Sequence, residues 1–96
     1  MSPKNKIKLS ILRKKLDIVD NELLKIIKKR SNIVNDVLKL KKYKSEIVDK
    51  KRINFILKKI KKKSIEKKID PKITYRIWKN MIWSYISFER RNFKKK

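Results

Sequence analysis

The chain has 96 residues, of which 43 % are charged and 40 % hydrophobic, and its formal net charge is +23 at pH 7. This length allows one domain with a modest core, and the apolar fraction is sufficient for that domain to fold. The absence of Cys and His excludes thiol nucleophiles, disulfides, the usual zinc sites and the commonest general base near neutral pH. We therefore expect no metal and no cofactor.

The first residues, "MSPKNKIKLS", are basic but lead into no continuous apolar run, so we expect no signal peptide. The sequence also lacks a stretch of about 18 consecutive apolar residues that could span a bilayer. These features predict a cytoplasmic protein that does not contact membranes.

Lysine dominates the basic residues, with 26 Lys against 6 Arg, and Ala, Gly and Gln are absent. Lys and Ile enrichment of this kind is typical of drift in an AT-rich genome, which needs no binding partner as its explanation. The charge does imply an incidental affinity for polyanions such as nucleic acids. It does not make such binding the function.

The first predicted element is one long amphipathic helix over about residues 8–42, because apolar residues recur at alternating steps of three and four. Such a helix would be about 50 Å long, whereas a compact domain of this size is about 30–35 Å across. A helix longer than its own domain usually packs along a partner, so we expect an oligomer, most simply a two-fold dimer. The seam comprises Leu9, Leu12, Leu16, Val19, Leu23, Ile26, Arg30, Ile33, Val37 and Leu40.

The segment "YKSEIVD" (43–49) interrupts this pattern and offers Asp49 as the N-cap of a second helix. The apolar positions of that helix are Ile53, Ile56, Leu57 and Ile60, and the pattern fades within the lysine-rich run "KKIKKKSIEKK".

A third helix is predicted over about 71–92, since Asp70 is a good N-cap and Pro71 suits the first helical position. The chain is therefore all-α, with three helices. We divide it into an N-terminal tail (1–8), a helical domain (9–92) and a basic tail (93–96) that we expect to be disordered. The apolar positions of the third helix are Ile73, Ile77, Trp78, Met81, Ile82, Tyr85 and Ile86.

Three ionisable residues lie on these apolar lines: Arg30, Lys41 and Glu89. Lys41 follows Arg30 by three helical turns on the same face, about 16 Å away, so the two could clasp a small anion. A slight rotation of the helix would instead let Arg30 reach solvent. A buried charge without a partner costs several kcal/mol (roughly 3–5 when one partner is removed), so such residues are usually paired or bind a ligand.

Arg13 lies 17 residues before Arg30, about 25 Å away along one helix, so it could reach the same ligand only from the partner chain. Arg52 completes a candidate set of arginines, which offer a planar fork for carboxylates. Arg76, Arg90 and Arg91 have the same side chain, so this argument does not single out any one arginine. The chain has no Gly-rich phosphate loop. Together these features suit a small dicarboxylate whose reaction needs electrostatic stabilisation and confinement.

Three stretches resemble the all-helical chorismate mutase family. "LSILRKKLDIVDNELLKIIKKRSNIVNDVLKLKK" is similar to its first helix, "IVDKKR" to the start of its second, and "IDPKITYRIWKNMIWSYISFERR" to its third. The similarity covers about residues 9–91. The resemblance implies an intertwined helical homodimer that converts chorismate to prephenate by a Claisen rearrangement, in the shikimate route to aromatic amino acids.

The resemblance also implies roles for individual residues. Arg30 and the partner chain's Arg13 would bind the two substrate carboxylates. Lys41 would hydrogen-bond the ether oxygen on which negative charge develops, and Glu89 would be the second donor to that oxygen. Glu89 must be protonated to donate, so we expect turnover to rise as the pH falls and Glu89→Gln to flatten the pH profile.

Asp49 and Arg52 match a family Asp and Arg near the substrate, and the resemblance places Asp49 near the ring hydroxyl. Two positions depart from the family. Ile53 stands where a Glu usually contacts that hydroxyl, which predicts binding weaker by about 1–3 kcal/mol or loss of activity. Tyr85 replaces a common Ser and could crowd the ring carboxylate, while Ser84 lies about 100° away on the helix.

Three other functions stay open at this stage. An isochorismate–pyruvate lyase shares the fold and a similar cationic site, and a homologue that has lost activity could serve a regulatory or structural role. A basic nucleic-acid-binding helical protein would explain the net charge and would bind with strong salt dependence. It would not explain why Arg30, Lys41 and Glu89 lie on apolar faces.

Overall fold

The computed structural model describes residues 1–95. It contains three α-helices, α1 (Pro3–Leu40), α2 (Lys50–Glu66) and α3 (Pro71–Asn92), and a short 3-10 turn at Lys44–Glu46 between α1 and α2. The prediction of an all-α chain with three helices is confirmed. The chain divides into two compact units, Met1–Ile33 and Val34–Lys96.

Helix α1 begins at Pro3, five residues before the predicted start, so most of the expected tail at 1–8 is helical. The cause is a local cap that the prediction missed. The Ser2 hydroxyl accepts a hydrogen bond from the Asn5 amide at 3.2 Å, and proline is favoured at the first helical position. At the other end α1 stops at Leu40, two residues before the predicted end at residue 42, so Lys41 lies just outside the helix. The Lys41 amide donates to the Leu38 carbonyl at 3.1 Å in a final tight turn.

The first unit consists of the N-terminal part of α1, and its apolar seam is largely exposed. Leu16, for example, keeps 60 % of its surface exposed and Ile26 keeps 59 %. Contiguous apolar surface of this kind marks an interaction site on soluble proteins. The other exposed seam residues of this unit are Leu12, Val19, Leu23 and Ile33.

The core of the second unit is formed by Leu38, Ile47, Ile82 and Ile86, each at most 7 % exposed. Burying a side chain of this size stabilises a fold by about 1.5–3 kcal/mol. Around this cluster pack the half-buried Val48, Ile53, Ile56, Leu57 and Phe93.

The residues that are buried in this core differ from the predicted apolar faces in two places. In the last turns of α1 the buried residue is Leu38, while the predicted Val37 and Leu40 are exposed, because the face that meets the core is rotated by about one residue, or 100°. In α3, Ile73 and Ile77 are about half exposed, because they lie on the side of the helix away from the buried Ile82 and Ile86.

Both later helices begin at the predicted caps. The Asp49 carboxylate accepts a hydrogen bond from the Arg52 amide at 3.0 Å, and the Asp70 carboxylate accepts one from the Lys72 amide at 2.9 Å. Pro71 is the first residue of α3, as expected. Helix α2 does not fade in the lysine run but continues to Glu66, since Lys is a good helix former.

Helices α2 and α3 pack against each other on either side of the junction that connects them. Lys68 adopts a positive φ of 57°, and the Ile69 amide donates to the Ser64 carbonyl at 2.8 Å, which closes the C-terminus of α2. Ser64 and Thr74 are buried, and their hydroxyl oxygens lie 2.7 Å apart. Hydrogen bonds between these hydroxyl groups and at the end of α2 therefore help to fix the junction.

After Asn92 the described chain is no longer helical, and Lys94 and Lys95 are exposed. Lys96, the end of the predicted basic tail, lies outside the described residues. Within residues 1–95, no helix is both long and apolar enough to cross a membrane.

Candidate active site

A buried ion pair joins the end of α1 to the end of α3. The Lys41 ammonium donates hydrogen bonds to both carboxylate oxygens of Glu89, at 3.1 Å to Oε1 and 3.3 Å to Oε2. The side chain of Lys41 is 17 % exposed and that of Glu89 is 7 % exposed. Each of these two side chains is therefore hydrogen-bonded to the other.

Glu89 occupies an unfavourable position by two local criteria. It lies in the last turn of α3, where the negative end of the helix dipole disfavours a carboxylate. It is also almost completely buried, where an unpaired charge would be costly. Lys41 offsets both costs because it follows α1 directly and extends its ammonium into the same buried space. Residues retained against local preference often mark functional sites.

Tyr85 lies one helical turn before Glu89 and is half-buried. The four-residue spacing places both side chains on the same face of α3. This is the position at which the sequence analysis expects a side chain beside the substrate ring.

Asp49 and Arg52 lie at the start of α2, and both are exposed. The Asp49 carboxylate caps the helix by accepting from the Arg52 amide, and the Arg52 guanidinium carbon lies 5.5 Å from the centre of the Phe55 ring. The structure therefore gives Asp49 a helix-capping contact and Arg52 an aromatic contact. It shows no hydrogen bond from either side chain to Lys41 or Glu89 within residues 1–95.

Arg30 and Arg13 belong to the first unit. Arg30 is half-buried, and its Nε atom is buried, so the side chain is not simply extended into solvent. Arg13 is exposed and lies on a shallow groove with Leu9 and Asp17 on the same helical segment. The two arginines that are predicted to bind the substrate carboxylates thus both lie on α1, and Arg30 is more buried than Arg13.

Lys41 and Glu89 were predicted to be separate ligands for a substrate, whereas in the structure they are each other's partner. Opposite charges on the inward faces of two helices were the signal that could have revealed the pair. The analysis also took Ile53 only as a missing polar contact, whereas its side chain packs against the apolar core.

The described residues contain no group of three or more His, Cys, Asp or Glu side chains that could hold a metal ion. The groups that this site offers are the Lys41 ammonium, the Glu89 carboxyl group and the half-buried side chain of Tyr85.

The fold and the site together define the class: an all-helical protein whose candidate active site is built around a buried pair of one cation and one carboxylate. The model of the family described as chorismate mutase type II matches residues 12–90. The chain belongs to this family, and the resemblance found in the sequence is confirmed. The comparisons with curated proteins and with solved structures each give no match.

Proposed function

We propose that this protein is a chorismate mutase that converts chorismate to prephenate, within aromatic amino-acid biosynthesis in the cytoplasm. The observation that carries the proposal is the buried Lys41–Glu89 contact in a chain that belongs to the chorismate mutase type II family. Family membership supports this chemistry or a closely related one, and the ion pair supplies groups suited to it.

The proposed reaction breaks one C–O bond and forms one C–C bond within the same molecule, and no atom is gained or lost. It needs no nucleophile, no redox partner and no net proton transfer. Negative charge develops on the ether oxygen as the C–O bond lengthens. A preorganised cation in a buried site stabilises such charge far better than water does, and Lys41 is suited to this role because it is largely buried.

Glu89 contributes in one of two protonation states. As a carboxylate it accepts from Lys41, which is the arrangement in the structure. As a neutral carboxyl group it could donate a second hydrogen bond to the ether oxygen. We propose that the neutral form is the active one, because two donors stabilise the developing charge better than one. An ammonium group has three donors, so Lys41 can contact both Glu89 and the substrate.

We assign the binding of the two substrate carboxylates to Arg30 and to Arg13 of a second copy of the chain. Arginine pairs with carboxylates through two parallel hydrogen bonds. Arg52, Asp49 and Tyr85 are proposed to complete the site, with Asp49 near the ring hydroxyl. Since Asp49 and Arg52 are exposed, they would contact the substrate from the solvent side.

The proposed homodimer explains the exposed seam on α1. Leu16 and Ile26 are each more than half exposed in the single chain, and a second copy packed along α1 would remove this surface from water. An interface of this kind is self-complementary, because each copy presents the same surface. It would also bring one copy's Arg13 to the other copy's site.

The proposal is tested by assaying the purified protein with chorismate and with isochorismate side by side. Conversion of chorismate to prephenate, with no pyruvate from isochorismate, is the expected result. Pyruvate release from isochorismate would instead identify the lyase that shares this fold. Turnover of neither substrate, by a protein that circular dichroism shows to be folded, would indicate a homologue without activity.

A further inference from the structure

One face of α3 carries a row of cations that ends in an exposed tryptophan. Lys72, Arg76, Lys79 and Trp83 follow each other at steps of four, three and four residues, which places them on the same side of the helix. All four are exposed, and Trp83 keeps 46 % of its surface accessible. The row extends over about 16 Å at the helical rise per residue.

Two shallow grooves adjoin this row. The first, of about 410 Å³, lies between α2 and α3, and the second, of about 560 Å³, lies along α3. Lys72 and Tyr75 line both grooves, so the two grooves are adjacent. The first groove adds Lys58 and Lys61 from α2, and none of the residues that line either groove is acidic.

The cations of this surface are not neutralised by the chain itself. The salt bridges within residues 1–95 are Lys39–Asp36 and Lys41–Glu89, and neither involves the surface. Tyr75 keeps 48 % of its surface exposed, and the Lys79 ammonium lies 5.6 Å from the centre of its ring. We call this set the basic–aromatic surface: Lys58, Lys61, Lys72, Tyr75, Arg76, Lys79 and Trp83.

We propose that the basic–aromatic surface binds single-stranded nucleic acid. A single strand presents a phosphate at every nucleotide and leaves its bases available to stack, and proteins bind it with a cationic groove and exposed aromatic rings. The surface provides both features. Its row of about 16 Å matches about five nucleotides at the spacing of about 3.4 Å that stacked bases have along one strand. An acidic protein segment would satisfy the cations but would leave Tyr75 and Trp83 without a matching planar group.

This binding is independent of the proposed mutase activity, because the surface contains none of the residues assigned to the substrate. The test is fluorescence anisotropy with a fluorescein-labelled oligomer of twelve thymidines. A second labelled oligomer carries the same phosphates on abasic spacers. If five cations each neutralise one phosphate, the logarithm of the affinity should fall with the logarithm of the salt concentration at a slope of about −3.5.

Stacking is tested by Tyr75→Ala and Trp83→Ala. Each change should weaken binding of the thymidine oligomer by about 5- to 150-fold, the equivalent of one lost base–aromatic stack. Each should leave binding of the abasic oligomer unchanged. Because both side chains are about half exposed, the variants should fold, which circular dichroism checks.

The effect of position is separated from that of net charge by two triple variants. Lys72→Gln/Arg76→Gln/Lys79→Gln removes three charges from the surface, and Lys4→Gln/Lys8→Gln/Lys94→Gln removes three exposed charges elsewhere. The first should abolish most of the binding and the second should reduce it slightly. Equal losses in the two variants, or equal affinity for the thymidine and abasic oligomers, would overturn the proposal. So would preferential binding of a labelled twelve-residue poly-glutamate, which would identify an acidic peptide site.

Discussion

Lys41 and Glu89 are 48 positions apart in sequence and form a buried contact in which one ammonium bonds to both oxygens of one carboxylate, at 3.1 and 3.3 Å. The contact joins the residue that follows α1 to the last turn of α3. Replacing a buried ion pair by apolar residues is often neutral or stabilising, so stability alone does not account for this pair. The proposed role of the pair, which is to stabilise negative charge that develops on the substrate, would account for it.

Glu89→Gln tests whether Glu89 acts as a neutral donor. In the unchanged protein, turnover of chorismate should be higher at acid pH than at neutral pH, because only the neutral carboxyl group can donate to the ether oxygen. The amide of Gln donates at every pH, so the variant should show a flat profile. The measurement is kcat as a function of pH for both proteins.

Glu89→Ala is the control for this prediction, because it removes the donor as well as the charge. It should lose activity at every pH by about 10²–10³-fold, the effect of removing one preorganised donor. An unchanged protein whose turnover does not vary with pH, or falls toward acid pH, would rule out the neutral-donor role. The ionised form that holds Lys41 in position would then be the active one.

Mixing two inactive variants tests whether Arg13 crosses between chains. Arg13→Ala and Arg30→Ala should each be nearly inactive alone. If the two arginines serve one site from different copies, exchange of subunits creates a heterodimer with one intact site. Random exchange should then restore about a quarter of the activity, because half of the dimers are mixed and each has one working site of two.

The mixing experiment requires that subunits exchange, which can be followed by resonance energy transfer between labelled copies. A mixture that exchanges subunits but recovers no activity would show that Arg13 and Arg30 act within one chain or that Arg13 has no role at the site. A protein that sediments as a monomer would remove the basis for a shared site.

Ile53→Glu tests the departure from the family pattern. The family carboxylate would occupy a position where Ile53 packs against the apolar core, so the substitution should reduce the free energy of unfolding by about 1–3 kcal/mol. Ile53→Leu keeps the volume and should cost less than about 1.5 kcal/mol. The measurement is urea denaturation. If Ile53→Glu is as stable as the unchanged protein, the apolar contact of this side chain is unimportant.

Lys68→Gly should stabilise the chain. Lys68 has a positive φ of 57°, a conformation that costs a residue with a Cβ atom about 1–2 kcal/mol and that glycine adopts freely. A gain of 1 kcal/mol should raise Tm by about 4–8 °C in a domain of this size. Lys67→Gly is the matched control, because Lys67 has a negative φ of −89° and should gain nothing. Equal effects of the two changes would contradict the explanation.

The helices of this fold could be predicted from sequence because their ends carry strong local signals. Asp49, and Asp70 followed by Pro71, are caps whose effect depends only on neighbouring residues, and both helices begin where predicted. Ser2 and Pro3 form a similar signal, which was overlooked because the apolar seam begins later. The end of α1 was misplaced because no Gly or Pro marks it.

The inward face of each helix was harder to predict because it depends on partners distant in sequence. The apolar pattern could not distinguish the side of α1 that meets the chain's own core, marked by Leu38, from the side that remains exposed, marked by Val37 and Leu40. Because the buried and the exposed apolar faces of α1 are adjacent, their residues merge into one broad apolar stripe in the sequence. The Lys41–Glu89 pairing was missed for the same reason, since only the fold brings these residues together.

The most direct measurement for the mutase proposal is chorismate consumption, followed by ultraviolet absorbance, in the unchanged protein, Arg30→Ala and Arg91→Ala. Arg91 is an exposed arginine of α3 with no assigned role, so its replacement controls for the loss of one positive charge. The proposal predicts that the unchanged protein and Arg91→Ala consume chorismate and form prephenate, while Arg30→Ala does not. A folded, unchanged protein that leaves chorismate intact, or an Arg30→Ala variant as active as the other two, would contradict it.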